Sequence, residues 1–283
     1  MGTCIPTHAL LSALARRVER EGYVPLESDL TSLLALGIPA EEIAATLGAS
    51  DTEASRGALA ALAGVVARRG SPIVLAPDGL PTNVDDSVIV AARENFTRHD
   101  WVKLKGFFSP TLLDLVEREM PDSGFAPKSH GELGSELCLT PCALTERLMH
   151  LMNDPRLFDV VDRITGCGTI GCFEGRIYRL VPGTDHRDAW HTDMVMGRMV
   201  AMSVNLSGER YEGGELAIRS VRTGSLLASV PNLGLGDAVL FRLSHELEHR
   251  VSDMRGAAPK TAYAGWFRMR PAFADIVAGR ASF

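Results

Sequence analysis

Over the first seventy residues the apolar positions recur at helical spacing. Leu10, Leu11, Leu14 and Val18 form one stripe of a helix that Thr7 can cap, and Asp29–Leu36 reads as a second helix stopped by Gly37. Pro39 opens a third helix that runs through Leu47 to Gly48, and Asp51 opens an Ala-rich fourth that continues to about Arg69. Pro72, Pro77, Gly79 and Pro81 then predict a connector crossing the surface over residues 71–95. Trp101–Phe108 predicts a strand and turn, and Ser109 followed by Pro110 predicts the start of a helix carrying Leu112, Leu113, Leu115 and Val116. Residues 121–140 are polar and Gly-rich and are expected to form a mobile loop, followed by helices over 144–152 and 155–164. From Thr169 the pattern changes to short alternating strands separated by turns. In Arg198–Leu206, Arg198, Val200, Met202 and Val204 share one face, and Met199, Ala201, Ser203 and Asn205 the other. The expected fold class is α+β with a mainly β core, a two-sheet jelly roll with flanking helices and a helical N-terminal region. The expected divisions are a helical region over 1–70, the connector over 71–95 and the barrel domain over 96–283.

Composition narrows the partners. With 283 residues, 46% of them hydrophobic and 23% charged, the chain can bury a sizeable core. A net charge of -6 gives no general attraction to nucleic acid or to an anionic membrane. The third and fourth helices have a spacing faintly like a helix-turn-helix. Residues 1–70, however, hold six Arg and no Lys against eight acidic residues, which is not a DNA-reading face. A helical layer packed on the barrel or on a second subunit in a homodimer is the plainer expectation, with docking of a peptide or carrier protein as the other. The five Cys are scattered, and Cys138/Cys142 and Cys167/Cys172 lack common zinc spacings, so reduced thiols in a cytoplasmic protein are expected. No secretory leader pattern and no bilayer-length apolar run is present, so no membrane partner is expected.

The chemistry concentrates in Trp190-His191-Thr192-Asp193. If this stretch is a strand, His191 and Asp193 point to one face and can hold one cation together, with Thr192 turned away. His245 or His249 could supply a second imidazole. Two neutral His and one carboxylate on one face of an octahedron leave three positions open, the facial triad of non-haem Fe(II) oxygenases.

The order of features around this segment is informative. Gly175–Gly183 is a strand ending in a Pro-Gly turn, and Tyr211-Glu-Gly-Gly-Glu-Leu216 carries a Gly213-Gly214 turn suited to positive φ. Gly236-Asp-Ala-Val-Leu-Phe241, His249-Arg-Val251 and Lys260 with Trp266-Phe267 follow. On these residues the chain resembles the 2-oxoglutarate- and Fe(II)-dependent dioxygenases, of the prolyl-hydroxylase-like or small-molecule hydroxylase type, over roughly residues 95–272. The resemblance implies a double-stranded β-helix barrel and Fe(II) bound by His191, Asp193 and His249, the last standing 58 residues after His191. It implies that Lys260 anchors the distal carboxylate of 2-oxoglutarate. Lys260 lies 11 residues after His249, one more than in most members, which implies a bulge. Ala262 stands where the family often keeps Ser, so Thr261 or Tyr178 is expected to supply a hydroxyl. Arg255 is the rival anchor and Arg176 a more distant one. The implied reaction consumes O2 and 2-oxoglutarate, releases succinate and CO2, and hydroxylates an unactivated C–H bond. Asp193 speaks against halogenation, whereas desaturation and cyclisation share the same metal site. On position alone Trp190, Arg187 and Arg198 are candidate substrate residues, and an Arg would suit a carboxylate on an amino acid, a peptide or a small natural-product intermediate. Two other classes stay open: a non-redox, cupin-like metal protein, and a partner-binding pseudo-enzyme acting through the N-terminal helices.

Overall fold

A computed structural model describes residues 7–35, 38, 40–68, 73–81, 84–121, 124–195 and 197–283. The chain divides into two compact units, Met1–Ser71 and Pro72–Phe283. The first holds α1 (Thr7–Glu21), α2 (Glu27–Ala35), α3 (Ala40–Leu47) and α4 (Glu53–Arg68). Leu11, Leu14 and Val18 of the expected stripe are buried with Leu30, Leu33, Ile43, Leu47 and Leu62, which gives this unit its own core. Leu10, at the stripe's edge, is exposed. Thr52 rather than Asp51 caps α4, its Oγ1 accepting the Ser55 N–H at 3.1 Å. The expected stops and starts at Gly37 and Pro39 lie outside the described residues.

The second unit contains, in order, α5 (Asp86–His99), β1 (Trp101–Leu104), α6 (Pro110–Glu119), β2 (Phe125–Ser129), β3 (Gly134–Leu139), α7 (Ala143–Met152) and α8 (Pro155–Thr165). It continues with β4 (Cys172–Leu180), β5 (Arg187–Asp188), β6 (Arg198–Asn205), β7 (Leu216–Ser220), β8 (Leu226–Val230), β9 (Ala238–Arg242), β10 (Leu247–Val251), β11 (Lys260–Arg268) and α9 (Phe273–Val277). The larger antiparallel sheet runs β1-β9-β6-β11-β4-β3-β2 with β5 paired to β3, and the smaller runs β10-β7-β8. Together they make a double-stranded β-helix. Alternation gives each strand of the large sheet two different jobs. Phe173, Ile177, Val200, Val204, Leu240, Tyr263 and Phe267 enter the main core together with Phe96, Leu112, Leu148 and Val161 of the helices. The intervening positions face the small sheet and line a cavity.

Two stretches differ from the expectation. The prolines that suggested a surface connector end before Asp85, whose carboxylate accepts the Ser87 N–H at 2.6 Å and caps α5. Ile89, Ala92 and Phe96 then recur at helical spacing and are buried, as are Ile73, Leu75 and Leu80 upstream. Residues 125–139 form the β2–β3 hairpin in place of a loop, and Leu137 and Cys138 pair with Arg179 and Tyr178 of β4. Polar positions there face the cavity, so a polar composition did not mean an unpaired backbone. Among the described residues no helix is long and apolar enough to cross a membrane.

Candidate active site

An antiparallel bridge places His191, which lies outside the named strands, against His249 of β10. The His191 N–H donates to the His249 carbonyl at 3.1 Å and the His249 N–H to the His191 carbonyl at 2.9 Å. Residues paired in this way project their side chains to the same face, and the ring centroids stand 4.3 Å apart. Asp193 joins them by a different route from the extended strand first expected. Its φ is +56, a left-handed conformation that Asp tolerates better than most residues. This turn carries Oδ2 to 3.4 Å from the Nε2 of both His191 and His249. One ligand atom from each of the three residues lies within 4.8 Å of the others. Thr192, expected to turn away, lines the same cavity, whereas His245 is exposed in the turn before β10.

The surroundings orient these groups. The Ala189 carbonyl lies 2.7 Å from His191 Nδ1 and can only accept, so Nδ1 carries a proton and Nε2 is the nitrogen turned to the site, where a metal ion would displace its proton. Asp188 stands behind the same nitrogen at 3.6 Å, and its Oδ2 accepts the Val251 N–H at 2.7 Å. Trp266 Nε1–H donates to Asp193 Oδ2 at 2.7 Å and Arg198 Nη1–H to Oδ1 at 3.1 Å. The Arg198 guanidinium also stacks 3.4 Å from the Trp266 ring centroid. Arg198 was a candidate substrate residue on position alone; in the fold it braces the carboxylate. It reaches this face through a bulge: Phe267 pairs with Val200 and Arg268 with Arg198, leaving Met199 unpaired. Arg198 therefore leaves the Val200 face predicted for it.

Charge follows geometry. Burial pulls the His191 imidazole towards its neutral form, but the Asp193 and Asp188 carboxylates outweigh that and lift it to about 9. Burial likewise opposes ionisation of Asp193, and the two imidazoles reverse this and hold it far below the usual carboxylate range. Two imidazole nitrogens and one carboxylate oxygen converging on one point, with His191 and Asp193 hydrogen-bonded on their outer sides, fit a divalent transition-metal ion.

The cavity has a volume of about 750 Å³ and draws its lining from both sheets. Lys260 is buried in it and donates from Nζ to the Gly214 carbonyl at 2.5 Å; burial lowers its ammonium to about 8. Gly214 has a φ of +65, and a Cβ there would meet Met254 Sδ at 2.7 Å and Lys260 Cδ at 2.9 Å. Lys260 pairs with Leu180 and Ala262 with Tyr178, so Tyr178 lines the cavity from the neighbouring strand, its buried hydroxyl raised well above the usual range. Thr261 faces the opposite side, where its Oγ1 accepts from Arg179 Nε–H at 3.1 Å, and it offers the cavity no hydroxyl. Arg255 pairs its backbone with Glu212 and does not line the cavity. Trp190 is also absent from the wall, standing 4.3 Å from Arg219 and 4.9 Å from Arg250. Arg187 is an exposed member of the lining. Sequence reasoning missed Asp188, Glu136 and the cavity-facing Tyr211, whose buried hydroxyl is raised to about 12. Tyr211 could have been found from its place in the Gly-Gly turn motif; Asp188 and Glu136 carry no local signal.

Residues 176–268, which hold all three converging side chains, match the model of the 2OG-Fe(II) oxygenase superfamily. No curated protein matches the chain. Among solved structures, the fold is similar to a prolyl-4-hydroxylase from Pseudomonas putida, with a TM-score of 0.50 and 20% identity over 65% of this chain and 100% of that one. It is similar to a 2OG-Fe(II) oxygenase family oxidoreductase from Burkholderia pseudomallei, with a TM-score of 0.52 and 14% identity over 70% and 97% of the two chains. It is also similar to the epimerase SnoN in complex with Fe3+, alpha ketoglutarate and nogalamycin RO, with a TM-score of 0.51 and 13% identity over 70% and 93%. The unit around the matched segment shares the fold of these oxygenases and carries a candidate metal triad of His191, Asp193 and His249.

Proposed function

We propose that the chain is a 2-oxoglutarate- and Fe(II)-dependent dioxygenase that hydroxylates an unactivated C–H bond of a small molecule, an amino acid or a peptide intermediate, with succinate and CO2 as co-products. His191, Asp193 and His249 would hold Fe(II), and Lys260 would pair with the distal carboxylate of 2-oxoglutarate. The observation that carries this reading is the approach of both imidazole Nε2 atoms to Asp193 Oδ2 at 3.4 Å. When bound, the metal supplies activation of O2 coupled to decarboxylation of 2-oxoglutarate. The chain's own residues prepare the site. Ala189 selects the His191 tautomer, and Arg198 occupies Asp193 Oδ1, so that a single oxygen remains for the ion. Lys260 is a point charge and calls for a hydroxyl partner; Tyr178, which lines the same cavity, would supply it, and Thr261, bonded to Arg179, would not. Leu216, Val230 and Phe241 provide an apolar wall that excludes water from the substrate.

Anaerobic absorption spectra with Fe(II), taken with and without 2-oxoglutarate, test this assignment. A visible charge-transfer band should appear only with 2-oxoglutarate, vanish in His191→Ala and need more 2-oxoglutarate in Lys260→Ala. A folded, iron-loaded wild type without the band would leave the three residues as a Lewis-acid site and refute the proposal.

A further inference from the structure

The cavity wall contains a second polar group that the metal and cosubstrate leave unused. Glu136 on β3 is 7% exposed, and its Oε1 accepts from Arg176 Nε at 2.6 Å and from Cys138 Sγ at 3.2 Å, with His130 Nε2 at 2.8 Å. Burial raises the Glu136 carboxyl, and the Arg176 guanidinium together with the His130 and Cys138 hydrogen bonds more than reverses this, so the group stays ionised. All three contacts fall on one oxygen, and Arg176 gives only its Nε. Among the described residues none hydrogen-bonds to Glu136 Oε2 or to the two Arg176 Nη atoms. Neither set is sealed in the interior. An ion pair built only for stability would close fork to fork and use both oxygens. Here two neighbours, His130 and Cys138, orient the pair, and its unused atoms belong to side chains that line the cavity.

The position suits substrate. The Arg176 guanidinium lies 5.3 Å from the Trp266 ring centroid, and the Trp266 N–H reaches Asp193. Of the other cavity cations, Arg198 is taken by Asp193 and Lys260 is assigned to the cosubstrate, while Lys128 and Arg187 are exposed. A guanidinium edge beside a free carboxylate oxygen is complementary to a carboxylate beside an N–H donor. That is the α-carbon end of an amino acid.

We propose that Arg176 and Glu136 form the subsite that takes the α-carboxylate and α-nitrogen of the substrate, which is therefore a free α-amino acid or a chain ending in one. The inference rests on the dioxygenase reading only for the direction in which the bound molecule extends towards the metal ligands.

The test uses the full chain in two states, stripped of metal and loaded anaerobically with Fe(II) and 2-oxoglutarate. Calorimetric titrations use the L-amino acids, their N-acetyl derivatives and their carboxamides as probes. At least one acid should bind with Kd below about 1 mM, and its carboxamide at least about tenfold more weakly. Arg176→Gln should weaken the acid by at least about tenfold while leaving the 2-oxoglutarate Kd within about twofold. Arg176→Lys keeps a cation against Glu136 and supplies the same comparison if the Gln variant does not fold. Preference for the free over the N-acetyl form assigns a free amino acid, and equal binding assigns a chain terminus. Silence from every probe, equal binding of acid and carboxamide, or variants indistinguishable from wild type overturns the subsite. Arg176-dependent binding to the stripped protein, with no charge-transfer band on loading, would retain the subsite and reject the dioxygenase reading instead.

Discussion

His191 and His249, 58 positions apart in the sequence, exchange both of their backbone hydrogen bonds, at 3.1 and 2.9 Å. The separation of the two imidazoles is thus set by a sheet pairing, with each bond contributing about 0.5–1.5 kcal/mol. Asp193 is then delivered by a single left-handed residue. Backbone geometry thus brings the candidate ligand atoms together, the preorganisation that a metal site needs.

Arg198→Ala should lower Fe(II) or Co(II) affinity by about 10–100-fold, as loss of outer-sphere partners commonly does. The change removes the donor to Asp193 Oδ1 and the stack on Trp266. Arg198→Lys should recover only part of it, because the stacking plane is lost. Competition with a chromophoric chelator gives the numbers, and wild-type affinity in the Ala variant would discard the bracing role.

Binding of 2-oxoglutarate should weaken with alkali. Burial holds Lys260 down at about 8, so its ammonium is complete below that pH and lost above it. Above about pH 8 the Kd should rise about tenfold per pH unit, and Lys260→Arg should flatten the slope. Stability runs the other way. Between about 8 and the ordinary 10.5 the unfolded chain holds more protons at this position, so the contribution of Lys260 to stability grows with pH across that window. A slope unchanged by Lys260→Arg would exclude Lys260 as the anchor.

Gly214→Ala should impair 2-oxoglutarate binding more than metal binding. The added Cβ meets Lys260 Cδ and Met254 Sδ, and the φ of +65 becomes strained, at about 1–2 kcal/mol. The carbonyl that holds the ammonium moves with it. Equal losses of metal and cosubstrate affinity would contradict this assignment.

Neighbouring aromatics on β11 should respond oppositely. Trp266→Phe removes the N–H that meets Asp193 and should cost metal affinity with less than about 1.5 kcal/mol of stability. Phe267 is fully buried on the other face, 4.8 Å from Phe173 and edge-on to Phe158 at 6.2 Å. Phe267→Ala should cost about 3–5 kcal/mol in denaturant unfolding and leave the folded fraction's metal affinity intact. A shared phenotype would mean that the faces do not divide the work.

Local patterns carried much of the architecture into the sequence. Ser109-Pro110, Asp154-Pro155 and the Gly213-Gly214 turn each encode their geometry in adjacent residues. The three converging side chains were visible as His-x-Asp and a later His-x-Val, although the reason given for Asp193, an extended strand, was not how the chain delivers it. Features made by pairing were not legible. The β2–β3 hairpin reads as loop because its inward positions are polar, and Glu136 finds Arg176 only when β3 lies beside β4. Helix α5 was hidden by the prolines just upstream.

The unpaired Met199 bears on how relatives of this chain should be aligned. Which side a strand residue faces is counted in rungs of the ladder, and Arg198 sits one rung from Val200 although two places away in sequence. A relative lacking the residue equivalent to Met199 would present the same arginine over the same tryptophan by plain alternation. Spacing rules counted in residues would miss such a relative, and a one-residue gap between Arg198 and Val200 would recover it.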